Sequence, residues 1–144
     1  MAFPNSRWLL AWITRLHRWL YVASGGRLGA RASGLRFLLL HHVGRSSGRR
    51  FTTPLLYVED GGRWLVVASN AGDRRHPAWW PNLRAHPDVQ IQVGSERIEV
   101  RSRTAAGAER ASLWSKLTAV YPPYAEYQRR TQREIPVVVL ERAT

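Results

Sequence analysis

A short segment between two apolar runs has the residue types that bind an anion. Residues 44–50 include two glycines, two serines and three arginines, and they separate the apolar residues 36–42 from residues 54–59. Guanidinium groups form charge-assisted hydrogen bonds with phosphate and carboxylate oxygens, and a glycine-rich turn adds backbone N–H groups. Residues 44–50, here called the arginine hinge, therefore predict contact with an anion, most naturally a phosphate. An ordinary basic hairpin loop is the alternative.

The charge of the whole chain also points to anionic partners. Lys and Arg number 22 against 10 Asp and Glu, which gives a formal net charge of +12. Such a positive field attracts nucleic acid, an acidic lipid surface or a polyanionic small molecule. We expect no nucleic acid partner, because the sequence shows no aromatic stacking platform on exposed strands.

Length and composition predict one folded domain that uses no metal and no thiol chemistry. The chain has 144 residues, of which 44% are hydrophobic and seven are Trp, and it has no cysteine. The five histidines show no metal-ligand spacing with carboxylates, so we predict no metal site. The motifs of dinucleotide-binding folds and of serine hydrolases are also missing. An enzyme with this sequence would therefore depend on a bound organic cofactor, and a cytoplasmic location is expected.

The first 34 residues form a segment of their own, an amphipathic helix followed by a linker. Trp8, Trp12, Leu16 and Trp19 recur on one helical face, and arginines lie largely off that face. The longest apolar run is far shorter than the roughly 20 residues that cross a bilayer. The apolar face could have either of two partners. It could pack on protein, either the domain core or another subunit, or residues 7–22 could contact an anionic membrane.

Residues 35–144 have the pattern of hairpins with inserted helices. Strands are predicted at residues 36–42, 53–59, 63–69, 89–93, 97–101 and 135–140. Helices are predicted at residues 77–86, 105–120 and 124–130, and Pro81 indicates a late start or a kink in the first of them. About six mainly antiparallel strands with inserted helices predict an α+β fold built on a small β-barrel.

Several motifs resemble, in order and spacing, the deazaflavin-dependent nitroreductase family. In chain order they are Gly44-Arg45-Ser46-Ser47-Gly48, Pro54-Leu55-Leu56-Tyr57, Asp60-Gly61-Gly62-Arg63, residues 67–72, residues 76–87, residues 89–93, residues 121–128 and Ile135-Pro136-Val137-Val138-Val139. Together they extend from about residue 38 to residue 142. The resemblance implies a split β-barrel that binds coenzyme F420, an 8-hydroxy-5-deazaflavin with a phosphate and a polyglutamate tail.

The resemblance also implies which residues form the site. The phosphate and tail contacts fall on Arg45, Ser46, Ser47, Arg50, Phe51, Thr52, Thr53, Pro54, Leu55 and Leu56. The deazaflavin ring contacts fall on Val67, Ala68, Ser69, Asn70, Trp79 and Asn82, and Ala78 and Trp80 are further cofactor-binding residues. The candidate catalytic residues are Ser69 and the tyrosines that close the substrate pocket, Tyr121, Tyr124 and Tyr127, with Tyr124 also near the cofactor. A packed helix face is the alternative for the three tyrosines.

Three positions depart from the family pattern. Ser46 replaces the usual Lys or Arg, Phe51 replaces an Arg of one relative, and Asn70 replaces a Lys. The sequence leaves open which neighbouring arginine supplies the missing charge. The candidates are Arg49, Arg50, Arg74 and Arg75.

The family resemblance implies a reductase. A 5-deazaflavin has carbon in place of the reactive ring nitrogen, so it favours two-electron hydride transfer, and the protein mainly positions the ring against the acceptor. We expect hydride transfer from reduced F420 to a planar acceptor, a quinone first and a nitroaromatic incidentally. Because a quinone is dissolved in the bilayer, the protein would work at the inner face of the cell membrane if its N-terminal helix contacts the membrane, and elsewhere in the cytoplasm if that helix packs on protein. A non-catalytic module that carries or sequesters a deazaflavin or flavin is the alternative.

Overall fold

The computed structural model describes residues 35–144. Seven strands are present in this part: β1 (Phe37–Val43), β2 (Arg50–Leu56), β3 (Val58–Asp60), β4 (Arg63–Val67), β5 (Asp88–Val93), β6 (Glu96–Thr104) and β7 (Val137–Arg142). The helices are α1 (Trp79–Ala85), α2 (Gly107–Val120) and α3 (Pro123–Arg129), and a 3₁₀ turn covers Asn70–Gly72. The amphipathic helix and linker expected over residues 1–34 lie outside the described residues.

The seven strands form one curled antiparallel sheet with the order β2-β1-β5-β6-β7-β4-β3. The nine-residue β6 joins the two parts of this sheet. Its residues 96–101 pair with β5, and its residues 100–104 pair with β7. This architecture confirms the predicted α+β split barrel.

The strand count differs from the prediction of about six because the strand expected over residues 53–59 is two strands. Tyr57 separates them: its ring is buried, and its N–H donates to the carbonyl oxygen of Arg36 over 3.0 Å. β2 pairs with β1, whereas β3 pairs with β4. Tyr57 alone therefore connects β2 and β3, which lie at opposite edges of the sheet.

Helix α1 begins later than the predicted residue 77. It starts at Trp79, so Pro81 lies in the first turn. The first N–H groups of a helix have no intrahelical acceptor, and the missing N–H of a proline costs no helical hydrogen bond there. The late start indicated by Pro81 is thus confirmed, and the helix continues to Ala85.

Two apolar clusters, one on each face of the sheet, hold the fold together. Trp64 and Val66 of β4 belong to the cluster that includes α1, while Leu65 and Val67 belong to the cluster that includes α2 and α3. Burying a large apolar side chain contributes about 1.5–3 kcal/mol, so β4 is anchored from both faces. The segment that follows β4 therefore starts from a rigid base. Within residues 35–144, none of the helices is long and apolar enough to span a bilayer.

Candidate functional site

A cavity of about 240 Å³ opens between α3, the strands β1 and β2, and the end of β4. It brings together the three candidate catalytic tyrosines, Ser69 and four of the predicted cofactor contacts. Its lining consists of Leu35, Phe37, Pro54, Leu55, Leu56, Val67, Ser69, Ala71, Tyr121, Tyr124 and Tyr127. We call this cavity the tyrosine pocket.

The tyrosines form one aromatic wall because they recur at three-residue spacing. Tyr121 meets Tyr124 edge-on with 4.8 Å between the ring centroids, and Tyr124 meets Tyr127 at 6.4 Å. Tyr124 is buried in the apolar cluster of α2 and α3, whereas Tyr121 and Tyr127 are half-buried. The wall is therefore packed at its centre and accessible at both sides.

Neutral hydroxyl groups are the polar part of the tyrosine pocket. The hydrogen-bonding interaction with Tyr127, followed by burial, raises the pKa of Tyr121 above its ordinary value. Burial raises the pKa of Tyr124. The half-buried Ser69 hydroxyl forms no hydrogen bond with any of residues 35–144. An acceptor oxygen in this pocket would meet hydrogen-bond donors and no charged side chain of the described residues.

Ser69, which lines the tyrosine pocket, is followed directly by a strained turn at Asn70–Gly72. Asn70 and Ala71 have φ values of 46° and 54°, which lie in the left-handed region that residues other than glycine rarely adopt. Gly72 has a φ of 80°, and a Cβ at this position would lie 2.8 Å from the carbonyl oxygen of Tyr127. The turn thus lies so close to α3 that only a glycine fits at this position. Strained backbone of this kind is typical of functional segments.

A second cavity, of about 430 Å³, lies beside the first turn of α1. Four predicted cofactor contacts, Arg45, Ala78, Trp80 and Asn82, meet there. The full lining is Arg45, His76, Ala78, Trp80, Pro81, Asn82 and Arg84. The Trp80 ring contacts the His76 ring at 4.3 Å and the Arg84 guanidinium at 4.8 Å. We call this cavity the arginine groove.

The arginine hinge is a closed turn in this structure. Gly44, Arg45, Gly48 and Arg49 all use their backbone N–H groups in hydrogen bonds within the protein. The sequence predicted that such N–H groups would join the guanidinium groups in binding an anion. Because these four have internal partners, anion binding at the hinge depends mainly on the exposed arginine side chains.

A buried polar network supports the hinge from behind. Asn82 accepts a hydrogen bond from the Arg45 N–H through Oδ1 over 3.0 Å, so its Nδ2 group faces Nδ1 of His42, also at 3.0 Å. Nδ1 must therefore be the unprotonated nitrogen of His42, and Nε2 donates to Thr53 Oγ1 over 2.9 Å. Burial, followed by the charge of His41, lowers the pKa of His42 to about 4, which keeps the ring neutral.

Of the sixteen arginines in residues 35–144, six are in ion pairs and ten are not. The six paired arginines are Arg63, Arg101, Arg103, Arg110, Arg129 and Arg142, and Lys116 is also in an ion pair. Around the hinge, the groove and the loop after β4, six arginines form no ion pair with any of residues 35–144: Arg45, Arg49, Arg50, Arg74, Arg75 and Arg84. Two of these unpaired cations, Arg45 and Arg84, line the arginine groove, so the groove is a suitable surface for a polyanion.

The other predicted site residues lie around or behind the two cavities. Phe51 is 41% exposed and stacks on His42 with 5.5 Å between the ring centroids. The side chains of Ala68 and Trp79 are buried in the cluster that includes α1. A hydrogen bond of 2.9 Å joins Oγ1 of Thr52 and Nδ1 of His41. Four predicted contacts are exposed: Ser46, Ser47, Arg50 and Asn70.

Two residues of the site were missed by the sequence interpretation. His42 follows Leu38 and Leu40 at two-residue spacing, and this alternation would have placed it on the buried face of β1. Arg133, which bonds to the loop after β4, has no local pattern that marks it. Residues 35–144 contain no cluster of three or more potential metal ligands. The absence of a metal site from the whole chain stays a prediction.

Known proteins resemble this chain in sequence and in fold. The family model of the F420H(2)-dependent quinone reductases matches residues 12–142. The F420H(2)-dependent quinone reductase of Mycobacterium tuberculosis strain H37Rv is 41% identical over 145 residues, which covers 95% of this chain and 97% of that protein.

Two solved structures are also similar. A structure of an F420-H2 dependent reductase is 40% identical, with a TM-score of 0.68, and the match covers 73% of this chain and 93% of that one. A structure described as a domain-swapped dimer is 35% identical, with a TM-score of 0.70, over 92% of this chain and 98% of that one. From the extent of these matches, the chain belongs to the F420H(2)-dependent quinone reductase family.

Proposed function

We propose that this chain is an F420H2-dependent reductase that transfers a hydride to a quinone. One observation carries the proposal beyond family membership: the backbone between residues 69 and 84 contributes to both the tyrosine pocket and the arginine groove. A single ligand with a flat ring and a polyanionic tail could contact both cavities. Coenzyme F420 has this shape and charge distribution.

The residues present fit this cofactor. The arginine groove offers guanidinium groups without ion-pair partners among the described residues, which suits the phosphate and the glutamate tail. The tyrosine pocket offers aromatic and aliphatic walls, which suit the deazaflavin ring and a planar acceptor. We infer that Arg45 and Arg84 bind the tail, and that the predicted ring contacts Val67 and Ser69 face the ring. This proposal reverses the predicted roles of Pro54, Leu55 and Leu56, which line the tyrosine pocket, and of Asn82, which lines the arginine groove.

In the reaction, the bound deazaflavin supplies the hydride, and the residues of this chain prepare the acceptor. Leu56, Val67 and the tyrosine rings exclude water and hold the two planar partners together. Negative charge develops on a quinone oxygen as hydride arrives, and hydroxyl donors at Ser69, Tyr121 and Tyr127 would stabilise it. The raised pKa of Tyr121 favours hydrogen-bond donation over complete proton transfer by this group.

Titration of the purified protein with F420, FMN and FAD tests the cofactor assignment. We expect F420 to bind most tightly, because the unpaired arginines engage both its phosphate and its tail. The binding should weaken as salt is added, since exposed charge pairs are screened. Equal affinity for FMN and F420 would contradict the proposal.

We also propose a peripheral position at the cytoplasmic face of the membrane, based on residues 7–22, which lie outside the described residues. Their tryptophans and arginines have the composition of helices that lie in an anionic interface. The full-length protein should sediment with anionic vesicles at low salt, and a variant without residues 1–24 should not. Failure of the full-length protein to sediment would refute this location.

A further inference from the structure

Arg133 lies between α3 and β7 and reaches the loop that follows β4. Its Nη2 donates to the carbonyl oxygen of Ser69 over 2.7 Å, and its Nε donates to that of Asp73 over 2.9 Å. Its Nη1 donates to the carbonyl oxygen of Ala68 over 3.2 Å and to Nδ1 of His76 over 3.0 Å. One guanidinium group thus binds four acceptors within nine residues of chain.

Those nine residues form walls of both cavities. Ser69 and Ala71 line the tyrosine pocket, and His76 lines the arginine groove. Between them lies the turn with two left-handed residues, Asn70 and Ala71, which is costly for the chain to maintain. The segment has hydrogen bonds of its own, from Gly72 N–H to Ser69 and from Asp73 N–H to Asn70, but these are local to the turn.

We propose that Arg133 is a positioning residue that holds residues 68–76 in the conformation that joins the tyrosine pocket to the arginine groove. This inference rests on the proposed function, because it assigns to Arg133 the alignment of the ring site with the tail site. Arg133 lines neither the tyrosine pocket nor the arginine groove, so it acts through the loop and does not touch the ligand.

The guanidinium group suits this role better than any other side chain. It has five N–H donors in a rigid planar fork, so it can bond acceptors on several sides at once. The ammonium group of a lysine has three donors at a single point and could reach only some of the four acceptors. Arg133→Lys should therefore retain part of the effect, and Arg133→Ala should lose it.

Arg110 provides a matched control. Its guanidinium also binds the segment between α3 and β7, through the carbonyl oxygen of Ile135 at 2.7 Å and the carboxylate of Glu134 at 2.7 Å. It forms no hydrogen bond or ion pair with residues 68–76. Arg110→Ala should lower the stability of the protein without changing residues 68–76. It therefore distinguishes a general loss of stability from loss of the hydrogen bonds that Arg133 makes to residues 68–76.

The test combines amide hydrogen exchange of the cofactor-free protein with F420 binding and quinone reduction. In Arg133→Ala, we expect exchange at Gly72 and Asp73 to be at least tenfold faster, F420 to bind at least tenfold more weakly, and kcat for quinone to fall. Arg133→Lys should show smaller changes of the same kind. Added guanidinium ion should partly restore F420 binding to Arg133→Ala, while Arg110→Ala should show only a lower melting temperature.

Unchanged exchange at Gly72 and Asp73 in both Arg133 variants would overturn the inference. Faster exchange with unchanged F420 affinity and kcat would also overturn it, because the loop would then not align the site. Exchange is measured without cofactor, so it reports on Arg133 independently of the proposed function. If the wild-type protein failed to bind F420, the proposed function would fail, and the exchange result would still decide whether Arg133 holds the loop.

Discussion

The tyrosine pocket and the arginine groove are neighbours with opposite chemistry. The pocket is lined by aromatic, aliphatic and hydroxyl side chains, whereas the groove presents Arg45 and Arg84 with no carboxylate in its lining. A hydride must move between planar groups in a dry environment, but a polyanionic tail needs exposed cations. Under the proposed function, the groove would hold the tail of the cofactor and the pocket would hold the two groups that exchange the hydride.

The two regions are also supported differently. The pocket wall depends on a strained turn that Arg133 and α3 hold in place. The groove depends on a neutral, buried pair, His42 and Asn82, which fixes the start of the hinge. Substitutions should therefore affect one region without the other, and the following predictions use this separation.

The largest expected effect comes from Gly72→Ala. The new Cβ would meet the Tyr127 carbonyl oxygen at 2.8 Å and would also strain the positive φ. Left-handed backbone costs about 1–2 kcal/mol for a residue with a Cβ, and overpacking adds about 1–3 kcal/mol. We therefore expect the free energy of unfolding to fall by about 2–5 kcal/mol in urea titrations.

Gly62→Ala is the matched control for that prediction. Gly62 has a φ of 82°, but a Cβ there would have no atom within 4 Å, so only the backbone strain remains. Quinone turnover should fall more than tenfold in Gly72→Ala and remain near wild type in Gly62→Ala. Equal stability losses in the two variants would show that the turn does not press against α3.

The second effect is a pH dependence of stability caused by His42. Its pKa of about 4 in the folded protein lies below the unfolded value of 6.5, so the unfolded chain binds the proton first as the pH falls. Stability from this group is complete above pH 6.5 and is lost between pH 6.5 and about 4. A shift of this size corresponds to roughly 2–3 kcal/mol after allowance for partial hydration.

His41 and His76 also have lowered pKa values, so they add to the same slope. Urea midpoints measured from pH 7 to pH 4 should therefore be compared between wild type and His42→Gln, and the difference isolates His42. The variant should lose less stability over this range. Parallel curves for the two proteins would mean that His42 is not held neutral by its buried network.

The third effect concerns the groove. Replacing Arg45 with Ala should weaken F420 binding by about 1.5–3 kcal/mol, the range for a hydrogen bond with a charged group. Arg101→Ala is the control, because Arg101 is an exposed arginine already paired with Asp88. A deazaflavin without phosphate and tail should bind wild type and Arg45→Ala alike. If wild type bound both deazaflavins equally well, the groove would have no role in cofactor binding.

The smallest effect is expected in the tyrosine pocket. Tyr121→Phe and Tyr127→Phe remove one hydroxyl each and keep the aromatic wall, so kcat should fall by a factor that corresponds to about 0.5–1.5 kcal/mol. F420 affinity should remain within a few-fold of wild type in a binding titration. Loss of cofactor binding together with unfolding would show that these tyrosines belong to the core, as the buried Tyr124 does in part.

Local patterns predicted most of the fold. Alternating strands such as residues 89–93 and the turn at Gly94 require no tertiary information, and they lie within or beside β5 and β6. The break at Tyr57 could not be predicted, because an apolar run gives no sign that its two halves pair with different strands. That choice depends on closure of the whole sheet.

The candidate site likewise has one part that the sequence predicted and one part that it did not. The family resemblance identified residues that the structure gathers around two cavities, including Arg45, Ser69 and Tyr127. Which of them touch a ligand remains a prediction. The hydrogen bonds that support the two cavities could not be predicted. Arg133 and Ala68 are 65 residues apart in the sequence, and Asn82 and His42 are 40 residues apart. Hydrogen bonds between such distant positions leave no periodic signal in a single sequence.

The most direct test of the central claim is a single-turnover experiment with purified protein, reduced F420 and a soluble quinone. We expect the protein to accelerate oxidation of F420H2 by the quinone, with one quinone reduced for each F420H2 consumed, and we expect reduced FMN not to replace F420H2. Tight binding of F420H2 with no acceleration of its oxidation by quinones would contradict the proposed reductase function and would identify a protein that carries the cofactor without using it.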